Sequence, residues 1–146
     1  MSLANDDYIQ NLYAEIAASN DERPVLRALH LSDVHIDMQY EAGTLANCRE
    51  YLCCRPEVGY PTRPGQEAAG EWGSGLCDLP VKTFQSMLDY VVQDPETLPD
   101  MIIWTGDNKS HDVWEDTEDQ AVEYTIKVST MISDAFAGKN VTVLPI

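Results

Sequence analysis

The chain has 146 residues, 44% of them hydrophobic, so it can bury one core and a single domain is expected. Nine Lys and Arg against 25 Asp and Glu give a formal net charge of −16, which disfavours direct binding to nucleic acid or to an anionic membrane surface. No run approaches about 18 consecutive apolar residues, so no transmembrane helix is predicted. The first 24 residues carry no basic segment followed by an apolar one, so no secretory signal is predicted there.

The sequence pattern divides the chain into a lead-in over residues 1–24 and an α/β region over residues 25–146. In the lead-in an amphipathic helix is expected over residues 7–18, capped by Asn5 or Asp6. Its apolar residues are spaced to share one face, which predicts a packing surface made of Ile9, Leu12, Tyr13 and Ile16.

Strands and helices alternate through the α/β region. Apolar runs and helical spacing predict a strand over 25–31, a helix over 80–93, a strand over 100–105, a helix over 117–137 and a strand over 141–146. Pro80 suits the first turn of its helix, and Gly138 suits the end of the last one. The predicted helix faces are Val81, Phe84, Leu88, Val91 and Val92, then Ala121, Thr125, Val128, Ile132 and Phe136. This alternation predicts parallel strands joined by right-handed crossovers.

Residues 36–79 form a long loop that holds six of the eight glycines, so little regular structure is expected there. A loop of this length in a compact domain is usually a cover or a binding region. All four cysteines lie in it, as Cys48, Cys53, Cys54 and Cys77. Adjacent Cα atoms are about 3.8 Å apart and ordinary disulfides need about 4.4–6.8 Å, which disfavours a bond between Cys53 and Cys54. Two pairings remain, each joining Cys48 to one member of the vicinal pair and Cys77 to the other.

A zinc site is the alternative use of these cysteines, but their spacing lacks the usual pairs separated by a few residues. Two disulfides are therefore the favoured interpretation, and disulfides imply an oxidising compartment. The absence of a predicted secretory signal disfavours such a compartment. An N-terminus that lies elsewhere would reconcile this absence with the disulfides.

Two polar motifs follow the first two predicted strands, about seventy residues apart. Leu31-Ser32-Asp33-Val34-His35 carries Asp33 and His35, and Trp104-Thr105-Gly106-Asp107-Asn108 carries Asp107. Side chains two apart on an extended backbone point the same way, and ligands collect at the carboxyl ends of parallel strands. Asp33, His35 and Asp107 are therefore predicted to share one cation, which would be the start of a metal-dependent hydrolase site. His30 belongs to the other face of its strand, which predicts a core histidine.

Further stretches complete an ordered pattern, namely Ile36-Asp37, Tyr40, Gly43, Cys48, Cys53-Cys54-Arg55, Gly70-Glu71-Trp72-Gly73, Cys77-Asp78-Leu79-Pro80 and Lys109-Ser110-His111-Asp112-Val113-Trp114. With the two motifs, they resemble the N-terminal part of the calcineurin-like metallophosphoesterase domain of the acid sphingomyelinase and acid sphingomyelinase-like phosphodiesterase family. The resemblance covers residues 25–146. It implies an α/β fold, the N-terminal portion of a four-layer α/β/β/α sandwich with a disulfide-stapled long loop.

The resemblance also implies roles for individual residues. Asp33 and His35 match ligands of a first zinc ion, and Asp107 matches a carboxylate that bridges two zinc ions. His111 matches a histidine near the scissile phosphate that stabilises the transition state or protonates the leaving oxygen. The implied disulfides are Cys48–Cys53 and Cys54–Cys77.

Three residues near these motifs are candidates for supporting the metal site, and two of them also have a purely structural interpretation. Asp37 supports the metal site or forms a turn, Asp112 orients His111 or caps a turn, and Asn108 is a supporting residue beside the bridging carboxylate. Asn108 also begins a glycosylation acceptor pattern, which we interpret as a coincidence because a glycan there would block the site. Asn140 begins a second such pattern and is a candidate if the chain is secreted.

The implied chemistry is hydrolysis of a phosphodiester or phosphomonoester, such as sphingomyelin or a nucleotide, by zinc-activated water. In the family, a Gly-Asn-His motif supplies a ligand of the second zinc ion, and further histidines supply other ligands. Both the motif and those histidines are absent from these 146 residues. The isolated chain is therefore expected to bind at most one zinc, weakly, and to hydrolyse phosphodiesters poorly or not at all.

The alternative is an inactive fragment that acts only by binding, for example through an exposed sheet edge. Secretion or a lysosomal lumen is the expected location, from the resemblance and the cysteines together.

Overall fold

The structure is a computed structural model that describes residues 6–18, 25–112, 114 and 117–145. Its helices and strands, in chain order, are α1 (Asp6–Ala18), β1 (Ala28–Leu31), β2 (Ile36–Asp37), β3 (Leu79–Pro80), α2 (Val81–Gln93), β4 (Met101–Trp104), α3 (Glu118–Ala135) and β5 (Thr142–Pro145). A single 3-10 turn, Pro56–Val58, interrupts the long loop. Over the described ranges, no helix combines the length and apolar character needed to cross a membrane.

The principal sheet has the order β1-β4-β5, and both pairs of strands are parallel. Leu31 is in register with Trp104, which is in register with Pro145, so the three strands end at the same edge. A second, two-stranded parallel sheet pairs β2 with β3. The predicted α/β class and parallel pairing are confirmed, and the four-layer sandwich stays a prediction.

The core lies on one face of the principal sheet, under α2 and α3. Alternate strand residues point to that face, and the buried cluster consists of Leu31, Ile36, Phe84, Leu88, Ile102, Trp104, Val128, Ile132 and Phe136. The predicted apolar faces include Phe84 and Leu88 of α2, Val128 and Ile132 of α3, and Phe136, which directly follows α3, and all five are buried. These contacts hold the sheet edge where β1 and β4 end.

Three predictions about packing are wrong. His30 was predicted to be in the core, but it is exposed because no described residue of the core cluster covers its face of the sheet. Its Nε2 lies 3.3 Å from the hydroxyl of Thr105. On α3, Ala121 and Thr125 are exposed and Tyr124 packs against the core instead. A residue four positions before Val128 returns to the same side of a helix, which accounts for the shift to Tyr124.

The apolar face of α1 is the third. Leu12, Tyr13 and Ile16 are 40%, 64% and 56% exposed, and none of them belongs to the buried core. The core takes its members from the region between Leu29 and Val143, so the stripe on α1 is not used to build it. The suggested cap Asn5 and the side chains of Asp6 and Ile9 lie outside what the structure describes.

The helix ends differ slightly from the prediction. Pro80 precedes α2 as its N-cap residue instead of lying in the first turn. Thr117 caps α3 through a reciprocal pair of hydrogen bonds with Gln120. Gly138, at φ +75°, follows the end of α3 in the left-handed conformation expected of a helix stop.

The long loop is tied by two disulfides. Cys48 pairs with Cys53 at a Cα–Cα distance of 5.5 Å, and Cys54 pairs with Cys77 at 6.2 Å. This confirms the pairing that the family resemblance implied, and it removes the cysteines as zinc ligands. The loop has a small core of its own, formed by Ala46, Cys54 and Ala69 with Tyr40 and Cys77 packed against it.

Candidate metal centre

Two loops meet where β1 and β4 end. Asp33 and His35 follow β1, and Asp107 follows β4. Backbone hydrogen bonds join the loops, from Asp33 N–H to the Gly106 carbonyl at 3.2 Å and from His35 N–H to the Asp107 carbonyl at 3.4 Å. The parallel register brings these chain segments together although about seventy residues separate them in the sequence.

All three residues have left-handed backbone conformations. The φ angles are +54° at Asp33, +35° at His35 and +49° at Asp107. Such conformations cost on the order of 1–3 kcal/mol each in non-glycine residues, and they concentrate at functional sites. Each of them turns a side chain away from the direction that a continuing strand would give it.

The three side chains form a candidate metal site, here named the metal triad (Asp33, His35 and Asp107). One ligand atom from each lies within 4.8 Å of the others, and His35 Nε2 lies 3.6 Å from Asp107 Oδ2. Zinc bonds of about 2.0–2.1 Å allow two ligands of one ion to be at most about 4.2 Å apart. Asp33 and Asp107 are exposed, so small rotations of their carboxylates close the remaining gap.

The tautomer of His35 fits metal binding. Its Nδ1 lies 2.8 Å from the Lys109 carbonyl oxygen, which can only accept a hydrogen bond. Nδ1 must therefore carry the proton, and the lone pair at Nε2 remains for an ion. Metal-ligating histidines commonly have this arrangement, in which the other ring nitrogen donates to a carbonyl or carboxylate.

His111 lies against the metal triad. Its ring stacks on the ring of His35, with centroids 4.0 Å apart and planes 23° apart. The carboxylate of Asp78 takes two hydrogen bonds from it, one from the backbone N–H at 2.8 Å and one at Nδ1 at 2.7 Å. Asp78 was part of the motif pattern but was not predicted as a site residue, because its contact with His111 spans 33 positions.

Comparison with known proteins identifies relatives of this chain. No family model matches the chain. The chain is 39% identical to sphingomyelin phosphodiesterase B of Dictyostelium discoideum over 128 residues, which is 88% of this chain and 20% of that protein. It is 40% identical to human sphingomyelin phosphodiesterase over 111 residues, 74% of this chain and 17% of that protein.

The chain resembles the sphingomyelin phosphodiesterase family over most of its length. It is also 31% identical to an endopolyphosphatase of Candida glabrata over 119 residues, 78% of this chain and 17% of that protein, in keeping with the wider metallophosphoesterase superfamily. The chain spans about a fifth of the length of the sphingomyelin phosphodiesterases that it matches.

A buried charge cluster, here named the arginine cluster (Asp37, Arg55, Ser110 and Asp112), joins the disulfide loop to the segments that follow the metal triad residues. Arg55 donates to both oxygens of Asp37 at 2.8 and 3.0 Å, and to Asp112 at 2.9 Å. Lys109 also pairs with Asp112. Each cluster residue is at most 5% exposed. Because Arg55 follows Cys54, the cluster ties the disulfide loop to β2 and to the segment that leads to His111.

The cluster shifts the pKa of its charged members. Burial by itself raises the pKa of Asp112, but hydrogen bonds from its three donors outweigh burial and hold that pKa well below the usual range. Burial lowers the pKa of Arg55, and hydrogen bonds to the two carboxylates more than reverse this effect. Both groups therefore stay charged at neutral and mildly acidic pH. Asp37 and Asp112 both bond to Arg55. The carboxylate that bonds to the His111 ring is that of Asp78 and not that of Asp112.

The other residues considered from the sequence fall into two environments. Asn108 is 6% exposed, whereas Asn140 is on the surface. Trp72 and Trp114 are each 55% exposed, with Lys82 over the Trp72 ring at 4.1 Å and Tyr51 edge-on to Trp114 at 4.2 Å. Neither tryptophan belongs to the buried core of the described residues.

An open cleft of about 830 Å³ is formed mainly by the disulfide-tied loop and is lined in part by Asp112 and Trp114, which follow His111 in the chain. Its other polar lining includes Arg49, Arg63 and Glu50. The metal triad itself is outside this cleft, on an open surface.

Proposed function

We propose that this chain carries part of a zinc-dependent phosphoesterase site, with Asp33, His35 and Asp107 as metal ligands. The convergence of these side chains at one sheet edge, in a chain similar to sphingomyelin phosphodiesterases, supports the proposal. A set of one imidazole and two carboxylates suits zinc. When bound, zinc neutralises phosphate charge and lowers the pKa of a water molecule.

The charge of the chain makes a cation necessary for this reaction. The chain has a formal net charge of −16, and the metal triad has two carboxylates. These groups alone would repel an anionic phosphoester. Asp33, His35 and Asp107 therefore serve substrate binding by holding positive charge where the phosphate must lie.

His111 supplies the proton in the proposed reaction. Leaving alkoxides of phosphodiesters are strong bases, so a proton at the leaving oxygen lowers the barrier to bond cleavage. The ring of His111 stacks on that of His35, which places it next to the proposed metal position. The N–H bond of the imidazolium breaks as the new O–H bond forms, and the ring becomes neutral.

The proposed substrate is a phosphodiester or phosphomonoester, either a small molecule or a lipid head group. The names of the relatives favour sphingomyelin. Two disulfides fit an oxidising compartment, so we propose that the protein works outside the cell or in a lysosomal lumen. In that setting Asn140, which is on the surface, is the proposed glycosylation position.

Zinc titration of the chain tests the metal triad. Calorimetry of the unaltered chain should show at most one zinc per chain, and His35→Ala should weaken that binding by more than about 100-fold, because loss of a supporting residue alone costs about 10–100-fold. His30→Ala is the matched control, since His30 is exposed on the preceding strand and is not part of the metal triad. Equal losses in the two variants, or none in either, would contradict the proposed site.

A second candidate substrate is polyphosphate, and the cleft of the disulfide-tied loop is its candidate binding site. The chain is also similar to endopolyphosphatases, and Arg49 and Arg63 line that cleft. Guanidinium groups bind phosphate oxygens with two hydrogen bonds each. Arg49 and Arg63 would therefore donate to the phosphate groups of polyphosphate, whereas a cationic choline group would not bind to them.

Competition assays distinguish the two substrate classes. If polyphosphate is the substrate, the double variant Arg49→Gln/Arg63→Gln should weaken tripolyphosphate binding to the zinc-loaded chain by about 10-fold or more, with phosphocholine binding unchanged. Unchanged binding of both ligands would exclude the cleft as a polyphosphate site and leave the phosphodiester proposal standing.

A further inference from the structure

We propose that Asp78 is a positioning residue that keeps the ring proton of His111 on Nδ1, so that His111 meets the substrate through Nε2. The inference rests on the proposed function for the role of His111 in hydrolysis. The geometry of the Asp78 contact stands independently of that role. Both hydrogen bonds that Asp78 accepts from His111 are short, at 2.7 and 2.8 Å.

Asp78 is firmly held in the fold. Cys77, directly before it, is bonded to Cys54, and β3, directly after it, pairs in parallel with β2. The Leu79 N–H also donates to the His35 carbonyl at 3.0 Å, which connects this segment to the metal triad. The side chain of Asp78 is 9% exposed, while that of His111 is 55% exposed. The carboxylate is thus the fixed partner, and it holds the more exposed imidazole.

The carboxylate determines which ring nitrogen carries the proton. An ionised carboxylate only accepts hydrogen bonds, so its partner Nδ1 must be a donor. Hydrogen bonds to charged groups are roughly twice as strong as neutral ones. Neutral His111 therefore keeps Nδ1–H, and its lone pair is at Nε2. When the ring is cationic, the proton that passes to a leaving oxygen is the one at Nε2, and Nδ1–H remains bonded to Asp78.

Asparagine at position 78 would reverse this choice. The carboxylate has two acceptor oxygens, one for the His111 backbone N–H and one for Nδ1–H. An amide has one oxygen, and the backbone N–H must take it because it can only donate. The amide NH2 then faces Nδ1, which must become an acceptor, and the ring proton moves to Nε2. In serine proteases the corresponding Asp-to-Asn change acts in this way.

Nitrogen NMR of the imidazole rings tests the inference without any assay of activity. The chain contains three histidines, so long-range proton–nitrogen correlation spectra can be assigned with His30→Ala and His111→Ala. In the metal-free chain, neutral His111 should show the Nδ1–H tautomer in excess by about 10-fold or more. Asp78→Asn should shift the majority to Nε2–H. Asp89→Asn, an equivalent change at an exposed carboxylate on α2, should leave the His111 tautomer unchanged.

Each outcome bears on one proposal. A majority of Nε2–H in the unaltered chain would overturn the inference, and so would an unchanged tautomer in folded Asp78→Asn. If Asp78→Asn fails to fold, the spectrum of the unaltered chain still tests the assignment. If the unaltered chain fails to bind zinc, that result would count against the proposed function. The His111 tautomer, which is measured in the metal-free chain, would not be affected. For hydrolysis, Asp78→Asn should lower kcat by about 10-fold or more with little change in KM.

Discussion

Replacing Arg55 with methionine should lower the free energy of unfolding by about 3–5 kcal/mol. Arg55 is 3% exposed and bonds to Asp37 and Asp112, which are equally buried. Methionine fills much of the same volume, so the main effect is to leave two carboxylates in the interior with Lys109 as their remaining nearby cation. Urea denaturation followed by circular dichroism at neutral pH measures the loss.

Arg63→Met is the matched control, because Arg63 lies on the same loop but is exposed, and it should change stability by no more than about 0.5 kcal/mol.

The effect of Arg55→Met also depends on pH. The pKa of Asp112 in the folded protein is below its unfolded value of about 3.9, so the stability it contributes is present above that value and is lost as pH falls through the lower folded pKa. The destabilisation by Arg55→Met should therefore shrink in that acidic range. A penalty that stays constant into strong acid would show that lost packing, and not charge pairing, causes the effect.

His111→Ala should reduce the residual hydrolysis of an alkyl phosphodiester by the zinc-loaded chain about 10²- to 10⁴-fold, the usual contribution of a general acid. An aryl ester with a nitrophenolate leaving group should lose far less, because that leaving group is a weak base and needs no proton. The measurement is the ratio of kcat values for the two esters, with zinc in excess, before and after the substitution.

His30→Ala again serves as the control and should leave both rates unchanged, since His30 is outside the metal triad. Equal losses for the alkyl and aryl esters in His111→Ala would assign His111 to binding or to charge stabilisation and would contradict its role as proton donor. Zinc affinity measured in the same variant separates that role from a role in holding the metal.

Local patterns predicted much of the fold because they follow from chain geometry. The alternation of apolar strands and amphipathic helices identified β1, α2, β4, α3 and β5 with shifts of a few residues at their ends. The convergence of Asp33, His35 and Asp107 could also be predicted, because parallel strands end at one edge of a sheet. A bond between the vicinal cysteines was disfavoured by their short Cα–Cα distance, which left two pairings to consider.

Contacts between distant segments were harder to predict. His30 was placed in the core because alternation along a strand says which residues share a face, but not whether another layer covers that face. The apolar stripe on α1 failed for the same reason. Asp78 was overlooked because a carboxylate that accepts from a histidine 33 positions away leaves no periodic signal.

By itself the sequence determined the class of fold and the chemical character of the site, since strand ends and donor types are local properties. The tertiary structure decided the partners: Asp78 for His111, the Lys109 carbonyl for His35, and Arg55 for both Asp37 and Asp112. Hydrogen bonds act over about 3 Å, whereas these partners are between 18 and 74 positions apart in the chain. Only the packing of the sheet and the disulfide-tied loop brings them within that range.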